Sequence, residues 1–448
     1  MTMPEHASDD SNYGGGDVLV RLFNVISSSG KQLSDLTSRG WNSITYVESM
    51  GLLANDPQFI TGEVVILDRV DMFNEMKLVG DEIIELVFET PQKKKIDFVG
   101  RVYNVDVTMI SDKERSIALK FCSVEKLVAD QVKLNRVYKD TGYDLIAKDL
   151  FAPLSDISGS KIYVEPTKNK GSLIINNKSP LEALNMLTSV ARAEKYQGAN
   201  YVFFERSNGL YVFSSIEGLV DPNTITPVMK YSLDTLPGDK KDAISLRKIK
   251  GYKVLNMPNI AKNIEQGVYG STLISNDLMK RKITTQKFNY DRLYRLHKHV
   301  NFNSGRGGQG STGISNNPRY SERYSSFIKF IPKHFGSFDI LGVPFSNLAD
   351  ERELTDLERR SQLRQMNAIR LEILINGDSQ RRVGEVVDIT IPAIQEQNED
   401  QGGRVDGILS GKYLISKIKH KILSKSAGYS TVLQLVKDSY TNPLPEKR

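Results

Sequence analysis

Cysteine is nearly missing from this chain: Cys122 is the single one in 448 residues. One thiol excludes an internal disulfide framework, and it suits folding in a reducing cytoplasm. Cys122 lies in the apolar run IALKFCSV, which predicts a small buried core residue and not a nucleophile. Long apolar runs are missing too. No stretch approaches the roughly 18 consecutive apolar residues of a membrane-spanning helix, so none is expected. The opening MTMPEHASDDSNYGGGD lacks the basic and apolar regions of a signal peptide, and residues 1–16 read as a flexible arm.

Catalytic signatures are also lacking. There is no GxSxG elbow and no HExxH. Gly305-Arg306-Gly307-Gly308-Gln309-Gly310 matches GxGxxG, but a dinucleotide site needs a strand before it and a helix after it. Here the surroundings are polar, no Walker lysine is present, and 303–318 (NSGRGGQGSTGISNNP) reads as a flexible loop. His297 and His299 form an HxH pair among Arg292, Arg295 and Lys298, which would repel a cation. No cysteine or closely spaced carboxylate pair completes a metal set, so the pair reads as part of a solvated basic face. His334 and His420 read as structural. Neither catalysis, a metal nor a cofactor is expected. A glycosidase carboxylate pair, whose members can be far apart in sequence, stays open.

What remains is the composition of an ordinary globular protein, 39% hydrophobic and 25% charged, with a net charge of +6. Such a length predicts two to four domains, and the charge permits contact with nucleic acid without arguing for it. Residues 17–125 are β-rich, with strands expected at 18–23, 43–50 and 63–67. Val105, Val107 and Met109 alternate with Asn104, Asp106 and Thr108, the period of a half-buried strand in a small antiparallel barrel or sandwich. From 126 to 240 helical and strand patterns mix into an α/β module. A helix near 140–151 carries Tyr143, Leu145, Ile146 and Leu150. Ser179-Pro180-Leu181-Glu182 is a helix start with a capping box, and Asn208-Gly209 predicts a type I′ hairpin turn. Residues 241–347 form a basic bridging region. Residues 348–367 form a charged amphipathic helix with Leu354, Leu357 and Leu363 as its stripe, followed by a second β-rich unit to 440 and a tail, 441–448.

The two ends tell one story twice. LVGDEIIELVF (78–88) and RVGEVVDITI (382–391) are each followed by a polar loop, a glycine and a long alternating strand. Aligning Gly80 with Gly384 requires one extra residue after Gly80, which sets Ile84, Leu86 and Phe88 against Val387, Ile389 and Ile391. Without it every side chain would change face. Gly100 and Gly411 open the two long segments, and IALKF (117–121) answers TVLQL (431–435). Val105, Val107, Leu414 and Ile418 are then barrel positions. Lys417, Lys419 and Lys421 share one strand face opposite Leu414 and Ile418, and Lys93, Lys94, Lys95 and Lys412 add to the positive charge. Such a face could touch phosphates, though many are simply solvated.

GVYGSTLISNDLMKRK (267–282), ERRSQLRQMNAIRLEILINGD (358–378) and RVGEVVDITIP resemble the central baseplate hub subunits of contractile-tailed bacteriophages. So do SGKYLISKIKHKI and YSTVLQLVKDS, which ends in Lys437-Asp438-Ser439. The resemblance follows the order of parts along almost the whole chain. It implies a β-rich α+β fold: two similar antiparallel tube-like β-barrels (17–125, and a second that together with its leading helix spans 348–440), an inserted small α/β module and a bridging region. It further implies a homotrimer whose six barrels form a ring, joining a sixfold tail tube to a threefold central spike. Its partners would be the tail tube protein, the spike protein and other baseplate proteins, with transient passage of DNA or a tape measure protein, in a virion assembled in the host cytoplasm. Asp106, Thr108, Lys412, Lys417, Lys419 and Lys421 would face the lumen or the ring interface. A hub of a contractile injection or secretion system would have the same architecture. An OB-like nucleic-acid-binding protein, for which the 411–422 strand supplies lysines but only Tyr413, and a cell-wall glycan hydrolase are the other readings.

Overall fold

The computed structural model describes residues 18–33, 41–53, 56–90, 95–221, 228–233, 247–277, 281–301, 327–333, 337–338, 344–345, 348–393, 405–424 and 428–441. The arm at 1–16, the 303–318 loop, Lys93, Lys94, His334 and the tail beyond Thr441 lie outside the described residues.

The first unit contains β1 (Leu19–Ile26), β2 (Trp41–Ser49), β3 (Thr61–Asp68), a short helix α1 (Met72–Met76), β4 (Ile83–Glu89), β5 (Lys95–Ser111) and β6 (Glu114–Ser123). The strands lie in the order β1-β4-β5-β6-β3-β2, every pair antiparallel. Alternation places Ile44 and Tyr46, Val64 and Ile66, and Ile84, Leu86 and Phe88 in one core. Cys122 is buried on β6 outside that cluster, next to Phe121 which belongs to it, and burial pushes its thiol up to about 11, as an inert buried residue requires.

The module follows: α2 (Val124–Gln131), β7 (Leu134–Gly142), α3 (Tyr143–Ser158), β8 (Lys161–Val164), β9 (Lys170–Lys178), α4 (Pro180–Thr188), β10 (Tyr201–Arg206), β11 (Leu210–Ser215) and α5 (Ile216–Val220). Strands β10-β11-β8 form one small sheet and β7-β9 a two-stranded ladder. Tyr143, Ile146 and Leu150 of α3 enter the module's core, whereas Leu145 is exposed. The capping box forms as expected: Glu182 N–H donates to Ser179 Oγ (3.2 Å) and Ser179 N–H to Glu182 Oε2 (2.8 Å). The hairpin turn differs from expectation. Arg206 pairs with Leu210, leaving a three-residue loop in which only Gly209 has positive φ (70°). A type I′ turn needs positive φ at both central residues, so this is the longer loop with glycine in the left-handed position.

Beyond the module come β12 (Met229–Ser232), β13 (Ile249–Asn256), α6 (Ile260–Glu265), β14 (Gly270–Asp277), β15 (Lys282–Asn289), α7 (Tyr290–Leu293), β16 (Phe327–Lys333), β17 (Ser337–Phe338) and β18 (Pro344–Phe345). Then follow α8 (Leu348–Met366), β19 (Ile369–Asn376), β20 (Val386–Thr390), β21 (Gly411–Leu423) and β22 (Gly428–Lys437). Strands β15-β14-β16 form a separate small sheet, and Leu357 of α8 packs into its core.

The second unit repeats the first. Its strands run β12-β20-β21-β22-β19-β13, and each pair from β20 onward is antiparallel, as in the first unit. Only β12 departs, pairing in parallel with β20. Ile84 stands opposite Gly100 and Val387 opposite Tyr413, while Leu119 stands opposite Val105 and Leu433 opposite Ile418. Ile84, Leu86 and Phe88 therefore do correspond to Val387, Ile389 and Ile391. The two long strands even break register at matching residues, Tyr103 and Ser416. The glycine match fails. Gly100 corresponds to Tyr413, and Gly411 to Phe98, so the two glycines are two residues out of step.

The units are not separate in the sheet. Ser43–Ser49 of β2 pairs with Leu423–Lys417 of β21, which makes one twelve-stranded sheet. No ladder among the described strands closes either unit, and an isolated bridge, Ser232 to Lys248, brings β12 beside the start of β13. The observed class is a β-rich α+β fold built on this large, mostly antiparallel sheet.

Candidate assembly face at the junction of the repeated units

The β2–β21 junction has a packed side and a polar side. On the packed side Tyr46, Phe88, His420 and Tyr429 form one aromatic cluster, with Phe88 at 6.1 Å from Tyr46 and 5.8 Å from Tyr429, centroid to centroid. Tyr429 Oη lies 2.8 Å from His420 Nδ1. Burial pushes His420 down to about 3, so the imidazole is neutral and structural, as expected. Glu48 is also buried here and accepts a long hydrogen bond from Val383 N–H (3.4 Å). Burial pushes its carboxyl up, with Arg382 opposing. Alternation alone assigns Glu48 inward after Ile44 and Tyr46, a signal that sequence reasoning passed over.

On the polar side Lys417, Lys419 and Lys421 form the expected row. Two-residue spacing sets them roughly 7 Å apart. They stand opposite Ser49, Val47 and Thr45 on β2 and Gln434, Val432 and Ser430 on β22, so no acid faces them directly across the ladders. Lys417 reaches Asp56 (2.9 Å). Lys412 stands apart along the strand, beyond the irregularity at Ser416, where it pairs opposite Asp388 on β20. Leu414 and Ile418 are fully buried. In the first unit the positions of the lysine row are held by Asn104, Asp106 and Thr108. Asp106 binds Lys120 (2.6 Å), and that bond, with one from Asn104 (3.0 Å), holds its carboxyl below the usual range. Val105 is half-buried and Val107 exposed, although their counterparts Ile418 and His420 are enclosed.

Two glycines shortly before β4 and β20 hold left-handed conformations, Gly80 at φ 96° and Gly384 at φ 81°. Gly384 is also packed: a Cβ there would lie 2.9 Å from Phe204 Cζ and 2.9 Å from Arg206 Nη2. Arg206 in turn donates to the Val383 carbonyl (2.9 Å), so the module's hairpin clamps the second unit. The neighbouring Glu205 clamps the first. Its buried carboxylate accepts from Ile60 N–H (2.9 Å) and from Ser123 Oγ. Desolvation outweighs these donors and pushes Glu205 up to about 8.

The HxH pair does not form a solvated face. His297 is buried between Glu217 (2.8 Å) and Glu358 (3.5 Å), and His299 stacks on Tyr294 and bonds Asp438 (2.7 Å). Residues 297–299 lie outside any strand, so the period-two expectation does not apply to them. What sequence could not supply was the distant carboxylates that receive them. Burial opposes charge on His299, but Asp438 outweighs it and the imidazole titrates above its ordinary value. The Lys437-Asp438-Ser439 run is thus a brace. Ser439 Oγ accepts from Asn301 N–H (2.7 Å), and Asn301 Nδ2 donates to the Lys412 carbonyl (2.9 Å). Lys437 donates to the carbonyls of Ile408 (2.6 Å) and Ser410 (2.9 Å) beneath the Tyr413 ring. Among the described residues no group of three or more His, Cys, Asp or Glu is arranged to hold a metal.

The fold of this chain is similar over nearly its whole length to that of two solved tail proteins. The structure matches the tail protein from Neisseria meningitidis MC58 over 95% of this chain and 97% of that one, with 13% identity and a TM-score of 0.52. It matches the 43 kDa tail protein of prophage MuSo2 from Shewanella oneidensis over 93% and 99%, with 11% identity and a TM-score of 0.53. At such identity the likeness is one of fold. No protein-family model and no curated protein sequence matches the chain.

Proposed function

We propose that this chain is the structural hub subunit of a contractile phage tail baseplate. Three copies would present six similar β-units as a ring that joins a sixfold tail tube to a threefold spike and forms part of the DNA passage. The observation that carries this reading is the repeated strand order, β1-β4-β5-β6-β3-β2 and β12-β20-β21-β22-β19-β13. A repeated unit gives three chains six near-equivalent places, the economical way to match threefold and sixfold partners. The full-length likeness to two tail proteins supports it. Each unit would complete a tube-like barrel within the ring. The partners are then a second and third copy, the tail tube protein, the spike and other baseplate proteins, in a virion tail assembled in the host cytoplasm.

In this reading Lys417, Lys419 and Lys421, with Asp106 and Thr108, line the lumen or the seat of the neighbouring tube ring. The role is mechanical: the subunit seals, carries and releases, and no residue acts as a catalyst. Light scattering of the purified chain tests it. A mass of three 50.3 kDa chains supports the hub. A one-chain mass at every concentration, alone and mixed with the adjacent tail proteins, overturns it. A hub of a contractile injection system would behave identically in solution, and the genes that flank this one separate the two.

A further inference from the structure

We propose that the free edge of β5 receives β13 of a second copy of this chain, in the register that β2 and β21 already display within one chain. The proposal rests on the ring reading above and adds to it the strands, the residues and the pairing.

The argument starts from the edges. β5 is paired with β4 only over Lys95–Arg101, while β6 covers its other side along Gly100–Ser111. From Tyr103 to Ser111 its β4-side edge has no ladder among the described residues. β21, the counterpart of β5, fills the same stretch by pairing Lys417–Leu423 with β2. The counterpart of β2 is β13, which pairs with β19 alone among the described strands. The described strands therefore carry one satisfied junction and both halves of an unsatisfied copy of it.

Registers carry the match to single residues. Trp41 and Ile249 each precede a one-residue irregularity. After it Ser43, Ile44, Thr45 and Tyr46 correspond to Gly251, Tyr252, Lys253 and Val254. Along the long strands Val107, Thr108, Met109 and Ile110 correspond to His420, Lys421, Ile422 and Leu423. Within the chain Ile44 faces Ile422 and Tyr46 faces His420. Transferred to two chains, Tyr252 faces Met109 and Val254 faces Val107, and Lys253 lies beside Thr108.

Burial supports this pairing independently. Ile44, Tyr46, His420 and Ile422 are all 0% exposed. Their counterparts at the open edges are Tyr252 at 41%, Val254 at 36%, Val107 at 44% and Met109 at 75%. Four apolar side chains stand in solvent at the positions whose equivalents the intrachain junction encloses. The stretch Val105–Ile110 carries neither lysine nor proline, the usual guards of an exposed edge, so it is built to be covered. The contact is head-to-tail, so it forms a closed ring or an open filament, not a twofold dimer.

Disulfide trapping tests it in the full chain, because buried Cys122 gives no background. Met109→Cys with Tyr252→Cys is expected to give an oxidised ladder that ends at three chains. Moving one cysteine out of register, Val107→Cys with Tyr252→Cys, is expected to cross-link about tenfold more slowly, since diagonal neighbours exceed disulfide reach. Val107→Lys, at an exposed site, is expected to shift the mass to one chain that keeps its native circular dichroism spectrum. A three-chain mass without preference for the 109–252 pair overturns the edge pairing and leaves the hub reading standing. A 109–252 ladder that runs past three chains keeps the pairing and overturns the trimer. A one-chain mass with no ladder, or a 109–252 bond within one chain, overturns the pairing outright.

Discussion

The ring of Tyr46 from the first unit lies 5.8 Å from the imidazole of His420 in the second, at a tilt of 48°. Residues separated by most of the chain thus share one core at the β2–β21 junction. The units are held together by sheet hydrogen bonds on one axis and aromatic packing on the other.

That contact makes the junction sensitive to acid. Burial pushes His420 down to about 3, below the roughly 6.5 of an unfolded histidine. The unfolded chain therefore binds the extra proton first. The contribution is fully present above pH 6.5 and declines as pH falls toward 3, by about 1.4 kcal/mol per unit at most. Urea midpoints between pH 4 and 7 should show this slope, and His420→Gln should flatten it.

Glu205 gives the opposite dependence. Its folded value of about 8 lies above the usual carboxylate range, so the native state holds the proton longer. The favourable contribution is complete at low pH and is lost as pH rises toward 8. Glu205→Gln, which keeps an acceptor for the Ile60 amide, should raise the melting temperature at pH 9 and change it little at pH 5.

Gly80 and Gly384 share a left-handed backbone but not their surroundings. Alanine at Gly80 meets nothing within 4 Å and should cost only conformational strain, about 1 kcal/mol. At Gly384 the same change meets Phe204 and Arg206 and should cost about 2–4 kcal/mol, strain plus a displaced clamp. Denaturant unfolding of the two variants separates the cases.

Lys437→Met should destabilise the chain by about 1–3 kcal/mol, because it leaves the buried carbonyls of Ile408 and Ser410 without their donor. Hydrogen exchange should show the loss at the end of β22 and in 297–301, the segment anchored by its neighbours Asp438 and Ser439.

The sequence alone settled the β-rich character, the capped helix at 180, the inert cysteine and the repeat. Ile84, Leu86 and Phe88 answer Val387, Ile389 and Ile391 because a period of two is written directly into side-chain order. It misled where local pattern is silent. The glycines at 100 and 411 are neighbours of different residues in the two units. The HxH pair looked solvated because Glu217, Glu358 and Asp438 lie far away in sequence. Asn208-Gly209 promised a tighter turn than strand pairing allows. Only the tertiary structure decided that β2 of one unit seals β21 of the other. Edge pairing depends on which backbone groups are left without partners after folding, and no residue type records that. Among the described residues the same fact leaves the outer edges of β5 and β13 without a ladder, with Val107, Met109, Tyr252 and Val254 exposed.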